Sequence, residues 1–522
     1  MSLLFRDYSG TPRAFDEVVG AEGVRVAYGS VLRHLAKLDG DEVRARSEYL
    51  KSTYLDQGVT FDVGGEEAPF PLDIVPRVLL AEEWAQIEAG VVQRVRAIEA
   101  FLADVYGEGR VFADGVIPRR VVVTSPHYRR VVAGVQPPNG VRCHVAGIDL
   151  VRDELGRFRV LEDNVRVPSG VSYVMTNRRA MFSALPEVTS RHRIRPVEQY
   201  PQRLLAALRA AAPSGVGDPT VVVLTPGVHN SAYFEHALLA RMMGVELVEG
   251  RDLSCHNGRV SVRTTRGLRP VHVIYRRVDD EFLDPAQFRA DSVLGCAGLL
   301  TAARAGNVTI ANAVGNGVAD DKLVCSYLAD LVRYYLGEEP LLAGVDTWRL
   351  EDPEHREEVL DRLDELVLKP VDGSGGKGIV IGPRATPRQL DALRARIRKD
   401  PRGWIAQPVV QLSTVPTMVG GRMAPRHVDL RPFAVNSGDE VYVLPGGLTR
   451  VALAEGELIV NSSQGGGSKD TWVLAGDGVR GRRRRHRPRG VVAPVPLSGL
   501  GSEVLAEQQS QQQQQARGAR SC

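Results

Sequence analysis

Residues 366–382, with the sequence LVLKPVDGSGGKGIVIG, are the segment from which the fold of this chain is best predicted. An apolar run ends at Lys369, a glycine-rich loop follows, and a second apolar run stops at Gly382. This pattern predicts a strand, a loop and a second strand. The loop residues are Gly373, Ser374, Gly375, Gly376, Lys377 and Gly378. Because glycine lets backbone N–H groups turn toward one point, such a loop typically binds phosphate, and the lysines add positive charge for a triphosphate.

Three known phosphate-binding loops do not fit this segment. A dinucleotide fingerprint needs a helix after the loop, whereas a short strand is predicted here. A Walker A loop needs Ser or Thr after its Gly-Lys, and a kinase loop needs H-R-D and D-F-G motifs, which the chain lacks. Two alternatives stay open: a phosphate-binding loop between two strands, and a glycine-rich hairpin without a ligand.

The composition is that of a soluble globular protein of about three domains, with 522 residues, 43% hydrophobic and 25% charged. No apolar run approaches the ~18 residues needed to span a bilayer, and the N-terminus lacks a signal-peptide pattern. The five cysteines are scattered without a CxxC pair, which favours a reducing compartment. We therefore expect a cytoplasmic protein without a disulfide framework or zinc site.

The charge of the chain is uneven. The net charge is +3, but residues 476–522 carry nine Arg against three acids, or +6, so that the body carries −3. The folded body is therefore not predicted to bind nucleic acid. The arginine block and the Gln run at 508–515 predict a disordered tail.

A predicted hairpin, residues 145–151 and 157–161, places two carboxylates opposite each other. With its turn at Leu155-Gly156, Asp149 faces Glu162, and Asn164 points to the same side. Opposed carboxylates repel unless a cation lies between them, and carboxylate and amide oxygens are ligands that Mg²⁺ prefers. The alternative is two solvated surface acids.

Two neighbouring segments carry candidate substrate contacts. Arg166, Ser169 and Ser172 lie in a Pro/Gly loop that could bind an anionic substrate or could cap the helix that follows. A βαβ pattern over about 195–320 has a strand at 221–224, whose following loop lies where open α/β sheets bind ligands. We expect Asn230 and Glu235 to contact substrate there.

Further basic residues occupy positions that suggest anion binding. Lys322 begins a predicted helix, which is unfavourable against the helix dipole unless the lysine binds an anion. Asp429 and Arg431 share one face of a predicted strand, a loop presents Arg450, and a second glycine loop, 462–470, contains Lys469. The pattern also predicts a long helix over 76–106 that Pro76 opens, and a strand around 121–123.

The blocks LEDNVRVPSGVSY (161–173), LKPVDGSGGKGI (368–379) and SSQGGGSKDTW (462–472) resemble those of circularly permuted ATP-grasp proteins related to glutathionylspermidine synthetase. The resemblance covers roughly residues 10–475. In most ATP-grasp enzymes the ATP lysines and the glycine loop precede the Mg²⁺ ligands, whereas here they follow them. The resemblance implies an α/β (α+β) fold, a permuted ATP-grasp with an inserted Rossmann-like domain and a helical N-terminal region.

The resemblance also implies roles and domain limits. Lys322 and Lys369 would bind the α- and β-phosphates, the glycine loop would cover the phosphates, and Gln407 to Val410, including Val409, would line the adenine. Arg431 or Arg450 would face the γ-phosphate or an acyl phosphate. The implied regions are a helical region 1–120, ATP-grasp parts 121–195 and 321–475, an α/β domain 196–320 and the tail 476–522.

The implied reaction is ATP- and Mg²⁺-dependent joining of a carboxylate to an amine through an acyl phosphate. Lys469 is counted with Arg431 and Arg450 as catalytic. The expected partners are small-molecule or peptide substrates, without a membrane. The alternatives are a non-catalytic nucleotide-binding or regulatory module and, third, a phosphotransferase. The chain shows no cysteine–histidine amidase segment, and nothing selects a polyamine as the amine.

Overall fold

The computed structural model describes residues 8–56, 58–63, 66–373, 378–458, 460 and 466–476. Its helices are α1 Val26–Leu35, α2 Gly40–Asp56, α3 Ala81–Val105, α4 Arg110–Ala113, α5 Arg119–Val123, α6 Val171–Ala184, α7 Pro186–Thr189, α8 Tyr200–Ala210, α9 Tyr233–Met243, α10 Asp280–Leu283, α11 Leu299–Arg304, α12 Lys322–Cys325, α13 Leu328–Leu336, α14 Pro353–Asp361 and α15 Pro387–Lys399.

The strands are β1 Val19–Gly20, β2 Gly23–Val24, β3 Thr60–Val63, β4 Glu66–Pro69, β5 Leu72–Leu79, β6 Val145–Arg152, β7 Phe158–Asn164, β8 Val221–Leu224, β9 Glu246–Val248, β10 Leu253–His256, β11 Arg259–Thr264, β12 Gly267–Val271, β13 Val273–Arg276, β14 Thr309–Ala311, β15 Trp348–Arg349, β16 Leu366–Pro370, β17 Val380–Ile381, β18 Trp404–Pro408, β19 Thr414–Val419, β20 Arg422–Arg431, β21 Phe433–Asn436, β22 Val441–Val443, β23 Leu448–Val451 and β24 Gly467–Val473.

A large sheet forms the centre of the molecule. Its strand order is β22-β21-β6-β20-β23-β24-β5, with β7 paired to β6 and β19 to β20. The pairs are antiparallel except β24 and β5, which are parallel and join opposite ends of the chain. Early and late segments of the sequence therefore share one sheet. The mixed α/β class predicted from the sequence is confirmed.

Two four-stranded sheets are separate from the central sheet. The sheet β14-β13-β8-β9 is parallel and lies within residues 221–311, as the βαβ pattern predicts. The antiparallel sheet β15-β18-β16-β17 carries the strands on either side of the glycine loop, and its own apolar core includes Leu368, Leu393 and Trp404. The strand–loop–strand prediction for residues 366–382 is confirmed in its two strands. Residues 374–377 between them, which include predicted site residues, lie outside the described residues.

The predicted hairpin is also confirmed: β6 pairs with β7, and Asp149 is the direct partner of Glu162. Two element predictions are wrong. Pro76 lies in β5, and the long helix begins at Ala81. Residues 121–123 belong to α5, where Val121 and Val122 are both buried. A short buried apolar run has no diagnostic period, so helix and strand cannot be distinguished from it.

The proposed domain limits stay predictions. One element departs from their description: β5 lies in the region predicted to be helical, yet it belongs to the central sheet. The tail from residue 477 onward lies outside the described residues. In the described part of the chain, no helix is both long and apolar enough to cross a bilayer.

Gly382 ends the strand after the glycine loop in a position where a side chain has no room. A Cβ added there would lie 1.9 Å from the carbonyl oxygen of Leu363 and 2.7 Å from that of Leu366. Because backbone atoms cannot rotate away, we expect Gly382→Ala to destabilise this sheet by about 3 kcal/mol. Denaturant titration of the full chain measures the shift.

The matched control is Gly217→Ala, because an added Cβ at this exposed glycine meets nothing within 4 Å. We expect its unfolding midpoint to stay close to that of the wild type. Equal midpoints for the two variants would contradict the packing argument for Gly382.

Candidate active site

One face of the central sheet carries a continuous row of charged side chains. Asp149 on β6 is opposite Glu162 on β7, and Asp429 on β20 is opposite Arg450 on β23. Asp429 is also the partner of Val151, two residues from Asp149. Because side chains alternate between the faces of a sheet, all these groups and Arg431 lie on one face.

Asp149 is the centre of this row and binds two arginines. Arg431 donates to it from Nε at 2.5 Å and from Nη2 at 2.8 Å, and Arg450 donates from Nη2 at 2.7 Å. Arg450 also donates from Nε to Asp429 at 2.9 Å. Burial by itself raises the pKa of Asp149, but the two guanidinium groups outweigh it and hold the pKa well below its usual range.

Glu162 is the accessible carboxylate of the row. Its side chain is 22% exposed, whereas that of Asp149 is 1% exposed. Glu162 lies 4.0 Å from Nη2 of Arg431 on one side and 3.4 Å from Nζ of Lys322 on the other. It therefore connects the arginine pair to the lysines predicted to bind phosphate.

The two predicted phosphate lysines converge on Glu162. Lys322 is the first residue of α12, which Asp321 caps by accepting from the N–H of Leu323 at 3.0 Å. The ammonium group of Lys322 also donates to the carbonyl oxygen of Gly373, the residue at which the glycine loop begins. A cation at a helix N-terminus opposes the helix dipole, and a bound anion would relieve this.

Lys369 on β16 is 8% exposed, and its charge interacts with those of Glu162 and Lys322. Its Nζ donates to Oε1 of Gln407 at 2.6 Å, and Gln407 donates to Thr347 at 3.0 Å. Burial lowers the pKa of Lys369 to about 8; Lys322 lowers it too, whereas Glu162 opposes the shift. Lys369 is thus mostly protonated at pH 7 and loses its proton as the pH rises above about 8.

The remaining predicted nucleotide contacts are only partly described. Gly373 and Gly378 delimit the loop, and Gly378 has a φ of +71°, which favours glycine. Ser374, Gly375, Gly376 and Lys377 lie outside the described residues. Val409 follows the end of β18, two residues after Gln407, and is half-buried.

The groups predicted to bind Mg²⁺ lie on neighbouring strands. Asp149 and Glu162 face each other, and the buried Nδ2 of Asn164 has no hydrogen-bond partner. In the described residues, no cluster of three His, Cys, Asp or Glu side chains suits a metal. Two carboxylates and an amide are nevertheless a hard oxygen donor set that suits Mg²⁺, provided that Asp149 exchanges an arginine for the ion.

A buried network that the sequence reasoning missed supports this strand. Arg94 on α3 binds Asp163 with its Nε at 2.5 Å and its Nη2 at 2.7 Å, and it donates to the Cys325 thiol at 3.3 Å. Cys325 donates to Asp163 at 3.2 Å. The network joins β7, which carries Glu162, to α12, which carries Lys322. The sequence signal that could have indicated this network is the charged residue Arg94 within the apolar stripe of α3.

The predicted substrate loop is held mainly by protein contacts. Arg166 donates from Nε to Asp320 at 2.7 Å, and the carbonyl of Ser169 accepts from Arg431 at 3.2 Å. Oε2 of Glu235 accepts from the N–H of Ser172 at 3.1 Å and from its hydroxyl at 3.0 Å. Ser172 and Glu235 are buried and paired, so they position this loop and are not open to a ligand.

Two predicted residues lie apart from the row. Asn230 accepts from the N–H of Ala232 at 2.9 Å and thereby shapes the start of α9. Lys469 lies on the opposite face of the central sheet, where it is fully buried. Its Nζ donates to Asp73 at 2.5 Å and to the carbonyls of Val75 and Pro416. Lys469 therefore stabilises the sheet, and we leave it out of the candidate site.

The chain is similar to known proteins over most of its length. A family model described as circularly permuted ATP-grasp type 2 matches residues 76–452. An uncharacterized protein of Mycobacterium tuberculosis is 62% identical over 463 residues, which are 88% of this chain and 84% of that protein. An uncharacterized protein of Synechocystis is 50% identical over 470 residues, 88% of this chain and 97% of that protein.

Two further similarities are informative. A protein of Frankia alni named putative glutamate–cysteine ligase is 50% identical over 469 residues, 88% of this chain but only 54% of that longer protein. The structure of a glutathione synthetase-like effector from Globodera pallida aligns with a TM-score of 0.57 at 11% identity, covering 84% of this chain and 98% of that one. At this identity the alignment supports the fold alone.

The Arg94 network yields a stability prediction. Arg94→Met removes the partner of a buried carboxylate, and we expect it to lower the free energy of unfolding by about 3–5 kcal/mol. The matched control is Arg96→Met, because Arg96 lies on the exposed side of the same helix. Denaturant titration of both variants measures the difference, and a similar loss in both would contradict the role assigned to Arg94.

Proposed function

Because the chain belongs to the circularly permuted ATP-grasp type 2 family, we propose that it is an ATP- and Mg²⁺-dependent carboxylate–amine ligase that works through an acyl phosphate. One observation carries the proposal. Lys322 and Lys369 from the late part of the chain converge on Glu162 from its early part, next to the root of the glycine loop. This proximity supports a single site built from the rotated order of motifs that the family resemblance implies.

The triphosphate would lie between the two lysines and the row of acids. Lys322 and Lys369 would neutralise the α- and β-phosphates, and the glycine loop that begins at Gly373 would cover them. Phosphate binding would replace two contacts that the lysines now make, with Gly373 and with Gln407. Gln407 and Val409 would then border the adenine.

The metal would bind where the acids face each other. Asp149, Glu162 and Asn164 would supply its oxygen ligands, and when bound the ion would offset negative charge on the phosphates. Binding would require Asp149 to release one guanidinium group. Arg431 is the better candidate for release. Asp429 holds Arg450 in place beside Asp149, whereas the other hydrogen bond of Arg431 is to the carbonyl of Ser169. Arg431 could then turn toward the substrate.

The residues on this face would act by position and charge. A substrate carboxylate attacks the γ-phosphate, ADP leaves, and an amine displaces phosphate from the acyl phosphate to give an amide. Arg431 and Arg450 would stabilise the negative charge that spreads over the transferred group. Closure of the glycine loop would exclude water, which otherwise hydrolyses the intermediate. The substrates would be small molecules or peptides, in a reducing cytoplasm.

A non-catalytic nucleotide-binding module is the second candidate. The observation that favours it is the pairing of Asp149 with two arginines, which blocks its use as a metal ligand in this arrangement. ADP release with panels of carboxylates and amines separates the two functions. Hydroxamate formation in the presence of hydroxylamine supports an acyl phosphate, whereas nucleotide binding without turnover in any mixture supports the module.

Glu162→Gln tests the metal site. The substitution keeps the size of the side chain but removes its charge, so we expect turnover to fall by about two orders of magnitude while ATP binding largely survives. ADP release and equilibrium binding of ATP measure the two effects. Glu154→Gln, in the exposed turn of the same hairpin, is the control. Near-wild-type turnover in Glu162→Gln would show that the metal assignment is wrong.

The lowered pKa of Lys369 predicts a pH dependence of nucleotide binding. Its pKa of about 8 means that its charge is present below pH 8 and is lost as the pH rises above it. We therefore expect the Kd of a non-hydrolysable ATP analogue to rise above about pH 8, by up to about tenfold per pH unit. Binding isotherms at several pH values measure this.

The control for this dependence is Lys369→Arg, because arginine keeps its charge throughout this pH range. The Kd of this variant should vary little with pH above 8, whereas the exposed Lys399→Arg should behave like the wild type. The assignment fails if the Kd of Lys369→Arg rises as steeply as that of the wild type.

A further inference from the structure

Two cysteine side chains that are far apart in the sequence meet away from the candidate active site. Sγ of Cys255, on β10, lies 3.6 Å from Sγ of Cys296, in the loop between α10 and α11, and the two thiols share a hydrogen bond. The two residues are 41 positions apart, and both are free thiols. We name Cys255 and Cys296 the thiol pair.

The strand side of the thiol pair is fixed by the pairing of β10 with β11. Cys255 is the direct partner of Val260, and Leu253, two residues earlier, is the partner of Val262. Side chains alternate along a strand and paired residues share a face, so Cys255 lies on the same face as these three residues. All three are buried. The thiol of Cys255 therefore belongs to the packed face of this three-stranded sheet.

The loop side of the thiol pair is held by close backbone packing. A Cβ added at Gly295 would lie 2.0 Å from the carbonyl oxygen of Leu283, and one added at Gly250 would lie 2.3 Å from the carbonyl oxygen of Gly295. The N–H of Cys296 donates to the same Leu283 carbonyl at 3.0 Å. Because Gly250 lies three residues before β10 begins, these contacts fix the position of Cys296 relative to that strand.

The segment after Cys296 also packs on its partner. A Cβ added at Gly298 would lie 3.2 Å from Cβ of Cys255. The buried carboxylate of Asp284 accepts from the N–H of Gly298 at 3.1 Å and from that of Leu300 at 2.8 Å, which holds this segment at the start of α11. The two thiols are therefore brought together by the fold on both sides.

The thiol pair differs from two other cysteines in the described part of the chain. Cys143 is fully buried, and burial raises the pKa of its thiol. Burial also raises the pKa of Cys325, which is bound to Asp163. In the thiol pair, by contrast, Cys255 is half-buried, and its hydrogen bond lowers the pKa of Cys296. Because the thiolate is the reactive form, Cys296 is the better nucleophile of the pair.

We propose that Cys255 and Cys296 are a reversible oxidation site, which forms an intramolecular disulfide by exchange with a low-molecular-weight disulfide. A reducing compartment keeps the pair as two thiols until such a disulfide accumulates, and intracellular disulfides of this kind are usually transient or redox-sensing. The exchange requires neither ATP nor a ligase substrate. Its outcome is therefore independent of the proposed ligase function.

The exchange proceeds in two steps that balance. The thiolate of Cys296 attacks one sulfur of the small disulfide, so that a mixed disulfide forms and one small thiolate leaves. Sγ of Cys255 then attacks Sγ of Cys296, and the second small thiolate leaves. The two protons of the thiol pair end on the two released small thiols. The thiol pair thus loses two electrons, and the small disulfide gains them.

The test incubates the native full chain with glutathione disulfide. We expect the wild type to lose two free thiols, and digestion without reduction should yield a cross-linked peptide pair that contains Cys255 and Cys296. Thiol titration and mass spectrometry measure these two results, and dithiothreitol should restore both thiols. The proposal is overturned if no bond forms between these residues, or if the bond that forms joins Cys143 or Cys325 instead.

Variants of the full chain test the order of the steps. Cys255→Ser should stop at a mixed disulfide between glutathione and Cys296, because the second thiol is missing. Cys522→Ser, at the last residue, keeps the thiol pair and is the control, so it should form the same bond as the wild type. A Cys255→Ser protein without glutathione on Cys296 would contradict the attack by Cys296. Loss of the bond in Cys522→Ser would overturn the proposal.

Thermal unfolding shows whether the bond suits the native fold. A disulfide between residues 41 positions apart restricts the unfolded chain, so oxidation should raise the unfolding midpoint of the wild type. Cys296→Ser has no thiol pair and should show no such shift after the same treatment. A midpoint that falls on oxidation of the wild type would show that the bond forms only in a distorted chain, and would overturn the site.

Discussion

Two carboxylates that face each other across one β-ladder, Asp149 and Glu162, are the constraint on which the rest of the site depends. They repel, and the protein offsets this with four cationic groups from four other segments. Arg431 and Arg450 bind Asp149, Lys322 lies close to Glu162, and the charge of Lys369 interacts with that of Glu162. Burial makes the charged form of Lys369 costly, as its lowered pKa indicates. The proposed ligand, Mg²⁺ with a triphosphate, carries charges of both signs and would suit this arrangement.

The topology explains how the rotated order of motifs gives a single site. The parallel pair of β5 and β24 places the N-terminal and C-terminal parts of the chain in one sheet, and β6 lies between β20 and β21 in the same sheet. The acids of the early hairpin thus lie beside arginines that come about 280 residues later. The network of Arg94, Asp163 and Cys325 then links the hairpin to the helix of Lys322. Because this network is buried, it fixes the distance between acids and lysines independently of any ligand.

Much of this arrangement could be predicted from local patterns. The pairing of Asp149 with Glu162 was predicted correctly, but next to the turn the register differs by one residue, and a bulge between Asp149 and Leu150 restores the predicted pair. The strands around the glycine loop follow from its flanking apolar runs. The predictions that were wrong concern residues whose structure depends on contacts with distant parts of the chain. Strand β5 was missed because Pro76 suggests a helix start, whereas its pairing with β24 determines its structure. Lys469 was expected in the site because it follows glycines, but one residue of strand register places it on the opposite face. The role of Arg94 depends on its partner Asp163, which lies 69 residues further along the chain.

We propose that Asp149, Glu162 and Asn164 share one divalent ion with a triphosphate bound by Lys322 and Lys369. The most direct measurement is a crystal structure with Mn²⁺ and a non-hydrolysable ATP analogue, in which anomalous scattering locates the ion. We expect an anomalous peak within about 2.5 Å of oxygens of Asp149 and Glu162, with Arg431 turned away from Asp149. A nucleotide bound elsewhere, or a peak distant from both carboxylates while both arginines still bind Asp149, would contradict it.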